Sequence, residues 1–142
     1  YHKTNNHSKS NASFDACLDL NPNNTIALNN YSYYLSLRKT SLDKAKKMIL
    51  KAIEITAENS SYLDTYGWIL FLEENYTDAE YWLLKSLDYG GRNSGTVLEH
   101  YGDVLFKLNK PTEALNYWNM AKEKTDHSEF LIEKINLKKY IE

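Results

Sequence analysis

The chain has 142 residues, enough for one ordinary globular domain, and its net charge of −2 excludes bulk electrostatic binding of polyanions such as nucleic acid. Its single cysteine excludes an intrachain disulfide and a cysteine-based metal site. No apolar run approaches the roughly 18 residues that a membrane span needs, so no direct membrane insertion by this segment is expected.

One eight-residue pattern occurs three times. Leu28, Tyr31, Ser32 and Leu35 recur 35 residues later as Leu63, Tyr66, Gly67 and Leu70, and 35 later again as Leu98, Tyr101, Gly102 and Leu105. A fixed period of this size marks stacked supersecondary units. The second half of each unit repeats too. Ala45, Ala79 and Ala114 follow the tiny residue by 12 or 13 positions, and Ala52, Ser86 and Ala121 come seven later. Seven residues are about two helical turns, so these small side chains share one face. Ile49, Leu83 and Trp118 lie between them. Each unit therefore reads as two amphipathic helices joined by a short turn. A mid-helix Gly costs about 1 kcal/mol against Ala. Close approach of the paired helix offsets this, with its alanines as the expected matching surface.

These features resemble the tetratricopeptide repeat family, whose period is about 34 residues. Tyr76, Thr77, Asp78 and Ala79 match the start of its second helix, and Asn21, Pro22, Asn23 and Asn24 match its inter-repeat turn. Four departures touch the loops and one helix position: Ser32 stands for the usual Gly, Ala57 for a turn Pro, Gly90 and Gly91 replace the second turn, and the loop before Ala45 has one extra residue. The resemblance implies an all-α, right-handed superhelical solenoid of antiparallel helix pairs.

Taken in order, residues 1–24 read as the later part of a preceding repeat. Thr4 to His7 would be its internal turn, and a helix over about 9–20 would turn Phe14, Cys17 and Leu18 inward. That implies an array that extends upstream. Cys17 falls in step with Ala52, Ser86 and Ala121, which predicts a buried small hydrophobe. Residues 25–59 form a repeat with helices 25–38 and 42–56; Lys44, Lys46 and Lys47 would sit on its solvated outer face. Residues 60–94 form the next, with helices 60–73 and 77–89, the latter opening on a capping box from Thr77 to Glu80. Residues 90–95 read as the most flexible connection, carrying Gly90, Gly91 and Gly95. Residues 95–128 form the third repeat, with helices 95–108 and 111–124, and Pro111 suits a first helical turn. Residues 129–142 read as a capping helix over about 128–140 that carries Phe130, Leu131, Ile132 and Ile135, with Glu133, Lys134, Lys138 and Lys139 around them as a polar outer face.

No Gly-rich phosphate loop, CxxC pair, HExxH motif or nucleophile elbow is present. The expectation is a chain with no catalysis, no cofactor and no metal. His100 and Asp103, three apart, are the minor metal alternative, and Glu99 and Asp103, four apart, the minor acid–base one. The resemblance implies that the first helix of each pair lines a concave groove. The positions beside the packing residues are Asn29, Asn30, Tyr33 and Leu37, then Asp64, Thr65, Trp68 and Leu72, then Glu99, His100, Asp103 and Phe106. Aromatic anchors with acids around them suit a protein or peptide carrying apolar and basic residues. The row holds no Lys or Arg, so no clamp for an anionic tail is expected. The function implied is a non-catalytic protein-binding scaffold. The alternatives are a regulatory or structural arm of a larger enzyme, sensor or envelope complex, or a self-associating array. The repeats look similar to the C-terminal ones of long bacterial multi-repeat proteins, often found in the cell envelope. That similarity implies a periplasmic or membrane-anchored parent.

Overall fold

The computed structural model describes residues 2–138 and 140, with the backbone alone for residues 2–10. These residues form eight α-helices and one 3₁₀ turn, and no strand is found among them. The chain divides into two compact units, residues 1–57 and 58–142.

The first unit holds α1 (His2–Leu20), α2 (Thr25–Leu37) and α3 (Leu42–Ile55). The expected turn at Thr4 to His7 is not formed: α1 runs through it unbroken from His2. Neither Pro nor Gly interrupts residues 2–20, so nothing in the sequence stops the helix. Asn24 caps α2, its side chain accepting from Ala27 N at 3.1 Å. Leu28, Tyr31, Leu35, Ala45, Ile49 and Ala52 form the core between α2 and α3. Ser32, which stands where the other units carry Gly, is fully buried and donates its hydroxyl to the Ala45 carbonyl at 2.9 Å. Phe14 of α1 stacks on Tyr31 at 4.8 Å. Cys17 is half-buried, not buried as its column predicts, and Asn24 Nδ2 lies 3.6 Å from its sulfur. Lys44 is exposed as expected, yet it is tied: its ammonium donates to Tyr31 Oη at 2.8 Å and lies 3.5 Å from Asp15.

The second unit holds α4 (Ser60–Leu72), α5 (Tyr76–Asp88), a 3₁₀ turn (Gly91–Asn93), α6 (Gly95–Lys107), α7 (Pro111–Lys122) and α8 (Leu131–Leu137). Ala79, Ser86, Ala114 and Ala121 have no exposed surface, as the small-residue columns require. The partners of the helical glycines differ from expectation. A Cβ at Gly67 would meet Leu83 Cγ at 2.7 Å, and one at Gly102 would meet Trp118 Cδ1 at 2.5 Å. The glycines thus admit the large residues between the alanines, with the Ala114 carbonyl next nearest at Gly102.

The expected capping box at Thr77 is displaced. α5 begins one residue earlier with Asn75 as its N-cap, and Asn75 Nδ2 donates to Asp78 Oδ2 at 2.9 Å. The glycine-rich connection is a packed turn. Gly90 takes φ 111°, and a Cβ on buried Gly91 would lie 2.7 Å from the Ser86 carbonyl. At its end Asp126 accepts from Gly95 N at 2.7 Å and from the Ser94 hydroxyl at 2.7 Å, tying the α7–α8 loop to the start of α6. These bonds hold the Asp126 carboxyl below its usual range despite the opposing effect of burial.

The last helix is shorter than predicted and turned differently. α8 ends at Lys138 in the left-handed region, φ 55°, and Lys139 lies outside the described residues. Leu131 is buried as expected, but Lys134 is also buried, at 4% exposed, while Ile132 and Phe130 face solvent.

Candidate functional site

The first-helix positions of the second unit are largely internal. Asp64, Thr65, Glu99, His100 and Asp103 are all buried, and Trp68, Leu72 and Phe106 are half-buried. In the first unit Asn29 and Tyr33 are half-buried, and Asn30 and Leu37 are exposed.

The acids of α4 and α6 each meet a base from the next first-position helix. Asp64 Oδ1 lies 2.9 Å from His100 Nδ1, 36 positions on. Glu99 Oε2 accepts from the Lys134 ammonium at 2.6 Å, 35 positions on. The same ammonium donates to both Asp103 oxygens, at 2.9 and 3.1 Å. Trp118 Nε1 donates to Asp103 Oδ1 at 3.0 Å. Glu99 also accepts from the backbone N–H of Ser128 at 2.7 Å and from its hydroxyl. Asn29 occupies the equivalent place in α2, and its Oδ1 is buried without a hydrogen-bond partner.

The chemistry of this network follows from its charge count. Three carboxyls face two bases in a site closed to water, one negative charge too many. Burial pushes Asp103 up from 3.8 to about 6, against the pull of Lys134 and His100, so it is the group that takes up the surplus proton. Burial opposes charge on His100, but the charge and hydrogen bond of Asp64, with Asp103 and Glu99 behind it, hold the imidazole above its ordinary 6.5. Burial also opposes charge on Glu99, but Lys134 and Ser128 outweigh it and lower the carboxyl below 4.5. Trp68 stacks flat on the His100 ring at 3.9 Å and on Phe71 at 4.6 Å, so its indole face covers the imidazole.

A pH profile tests this. The stabilisation from His100 is complete below 6.5 and is lost as pH rises through its raised value. The Asp103 contribution is complete below 3.8 and fades toward about 6, while that of Glu99 is present above 4.5 and lost as pH falls. We therefore expect the second unit to unfold at a higher urea concentration at about pH 5.5 than at about pH 8, followed by tryptophan fluorescence. A higher midpoint on the alkaline side contradicts the assignment. All three tryptophans, at 68, 82 and 118, lie in this unit, so the signal reports on it alone.

The carboxylates that marked the groove as acidic are thus committed within the chain. The residues of the minor metal and acid–base alternatives are bonded in the same way: His100 to Asp64, and Glu99 and Asp103 to Lys134. Sequence reasoning missed Lys134, Ser128 and Asp126. Lys134 carried a signal, since it follows Glu99 by one repeat period. Asp126 and Ser128 carried none, because loop residues have no periodic register.

The second unit thus belongs to the class of paired-helix repeat arrays, in which each pair is joined to the next by a buried acid–base contact. No protein-family model matches the chain. It is 36% identical over 66 residues to a TPR repeat-containing protein of Pseudomonas aeruginosa, across 46% of this chain and 11% of that one. Among solved structures it is similar to YrrB, described as a TPR protein with an unusual peptide-binding site. That match has a TM-score of 0.67 and 27% identity, over 78% of this chain and 56% of that one. It shares the fold of PilF from Pseudomonas aeruginosa, with a TM-score of 0.71 and 19% identity over 90% and 62% of the two chains. The chain therefore spans less than two thirds of each of these proteins. The chain is therefore similar to tetratricopeptide repeat proteins and shares their all-helical, paired-helix fold. Among the described residues, no helix is long and apolar enough to cross a membrane.

Proposed function

We propose that the chain is a non-catalytic protein-interaction scaffold. It takes a peptide or helix of another protein on the faces of its first-position helices, as part of a multiprotein assembly. The observation that carries this reading is the apolar and aromatic pair left at the surface of a first-position helix in each unit, taken separately. Tyr33 and Leu37, four apart on α2, are half-buried and exposed; Trp68 and Leu72 on α4 keep the same spacing, both half-buried. Anchors at this spacing receive a partner helix or an extended peptide. The likeness to YrrB, a protein described as having a peptide-binding site, supports the same reading. Because Asp64, Glu99 and Asp103 are buried and bonded within the chain, the partner we infer is held by apolar and aromatic contacts, with basic residues contributing less.

Site-specific photo-cross-linking tests this. A benzoylphenylalanine at Asn30 or Leu37 should trap a partner, whereas one at exposed Lys47 on α3 should not. Equal yields from all three positions would overturn the reading.

A self-associating array is the second reading. Tyr81 and Leu84, three apart on α5 and both exposed, favour it. Light scattering over a concentration series decides, since a constant monomer mass removes it.

A further inference from the structure

Part of the second unit's surface, over α4 and α6, is covered by the chain's own Tyr140. Beyond α8 the Tyr140 ring comes to rest edge-on against Phe71 of α4, with centroids 5.4 Å apart and planes at 72°. The Lys107 ammonium of α6 lies 4.9 Å from the ring centroid, and that of Lys134 lies 5.2 Å away. Phe71 is itself packed between Trp68, at 4.6 Å, and Tyr76, at 5.3 Å. The seat therefore has an aromatic floor and two ammonium groups near the ring, of which that of Lys134 is also bonded to Glu99 and Asp103.

We propose that this seat is a ligand subsite for a tyrosine or tryptophan side chain of a partner polypeptide, and that Tyr140 is the intramolecular occupant which that side chain displaces. The inference deepens the scaffold reading and rests on it. Three observations carry it. First, two ammonium groups near one ring select an electron-rich π face, which Tyr and Trp present and a basic side chain does not. Second, the acids beside the seat are already saturated: Lys134 bonds Glu99 and Asp103, so a cationic ligand finds no free carboxylate there. Third, Tyr140 is separable from the cap that carries it. Leu131 and Lys134 anchor α8 in the core, whereas Tyr140 lies past the left-handed break at Lys138 and is half-buried. A tethered ring competes at high effective concentration, so the subsite in the intact chain answers only to a ligand with further contacts along that surface.

The test uses the full chain and its Tyr140→Ala variant, both labelled with ¹⁵N. The probe is the blocked tripeptide Asp-Tyr-Asp, with Asp-Ala-Asp as control. The tyrosine peptide should shift the amides of Phe71, Tyr76 and Lys107, with an apparent Kd at least about tenfold lower for Tyr140→Ala than for the unaltered chain. The alanine peptide should shift none. Lys107→Ala added to Tyr140→Ala should weaken the tyrosine peptide, and unchanged circular dichroism confirms that both variants fold. Equal affinity for both chains overturns the displacement idea, and an absence of shifts around Phe71 in both overturns the subsite. Cross-linking at Asn30 and Leu37 does not involve Tyr140. Successful cross-linking with a failed titration sinks the subsite alone, and failure of both sinks the broader scaffold reading as well.

Discussion

Lys134→Met is expected to destabilise the second unit by about 3–5 kcal/mol, the cost of leaving a buried ion pair with one partner missing. The side chain is 4% exposed and its ammonium serves three carboxylate oxygens on α6. Without it, Glu99 and Asp103 face each other four residues apart on one helix turn, in a site that excludes water. Urea unfolding followed by tryptophan fluorescence measures the loss. It should be largest near neutral pH and shrink in acid, where Asp103, already raised to about 6, takes a proton. Neutralising the acids as well, with Glu99→Gln and Asp103→Asn, should recover more than half of the lost stability. A change below about 1 kcal/mol for Lys134→Met would mean that the ammonium is solvated, as surface pairs are.

Trp118→Ala is expected to cost a further about 3–5 kcal/mol, the range for emptying the place of a large core aromatic. The ring has no exposed surface, stacks with Phe106 at 5.9 Å, and gives its N–H to Asp103. Its position is made by Gly102. Gly102→Ala alone should cost about 1–3 kcal/mol by overpacking, because the new Cβ would fall 2.5 Å from Cδ1 and 2.6 Å from Nε1 of the indole. In the Trp118→Ala background the same methyl meets no ring, so the two losses should not add. A double-mutant cycle measures that coupling, and strict additivity would refute the packing described here. Gly67→Ala should cost less than Gly102→Ala, since its nearest neighbour is the branched, adjustable Leu83 and not a rigid indole.

The two experiments separate what could be read from residues alone. The glycine column and the alanine columns were legible because they recur at a fixed spacing within one helix pair. The helix limits were equally legible: six of the eight helices begin and end within two residues of expectation, each bounded by a turn signal such as Asn24, Asn59 or Ser94. The two that miss are α1, which runs on through the expected turn, and α8, which is shorter than expected.

The candidate site was legible as a list of positions and illegible as a surface. Periodicity places Asp64, Glu99 and Asp103 on the first-helix row. It does not say whether a residue there faces solvent or the next helix, because successive positions differ by only about 100° around the axis. Here the rotation turns those acids toward His100 and Lys134, and burial then makes pairing obligatory.

By itself, then, the sequence determined the repeat, the helix pairs and the small residues that let them close, since those depend on contacts a few turns apart. Only the tertiary structure decided that a lysine one period beyond the last repeat bonds the buried acids, and that a tyrosine past it settles on Phe71. Those contacts join residues 31 to 69 positions apart, and their sign and depth depend on how whole helices are rotated against one another.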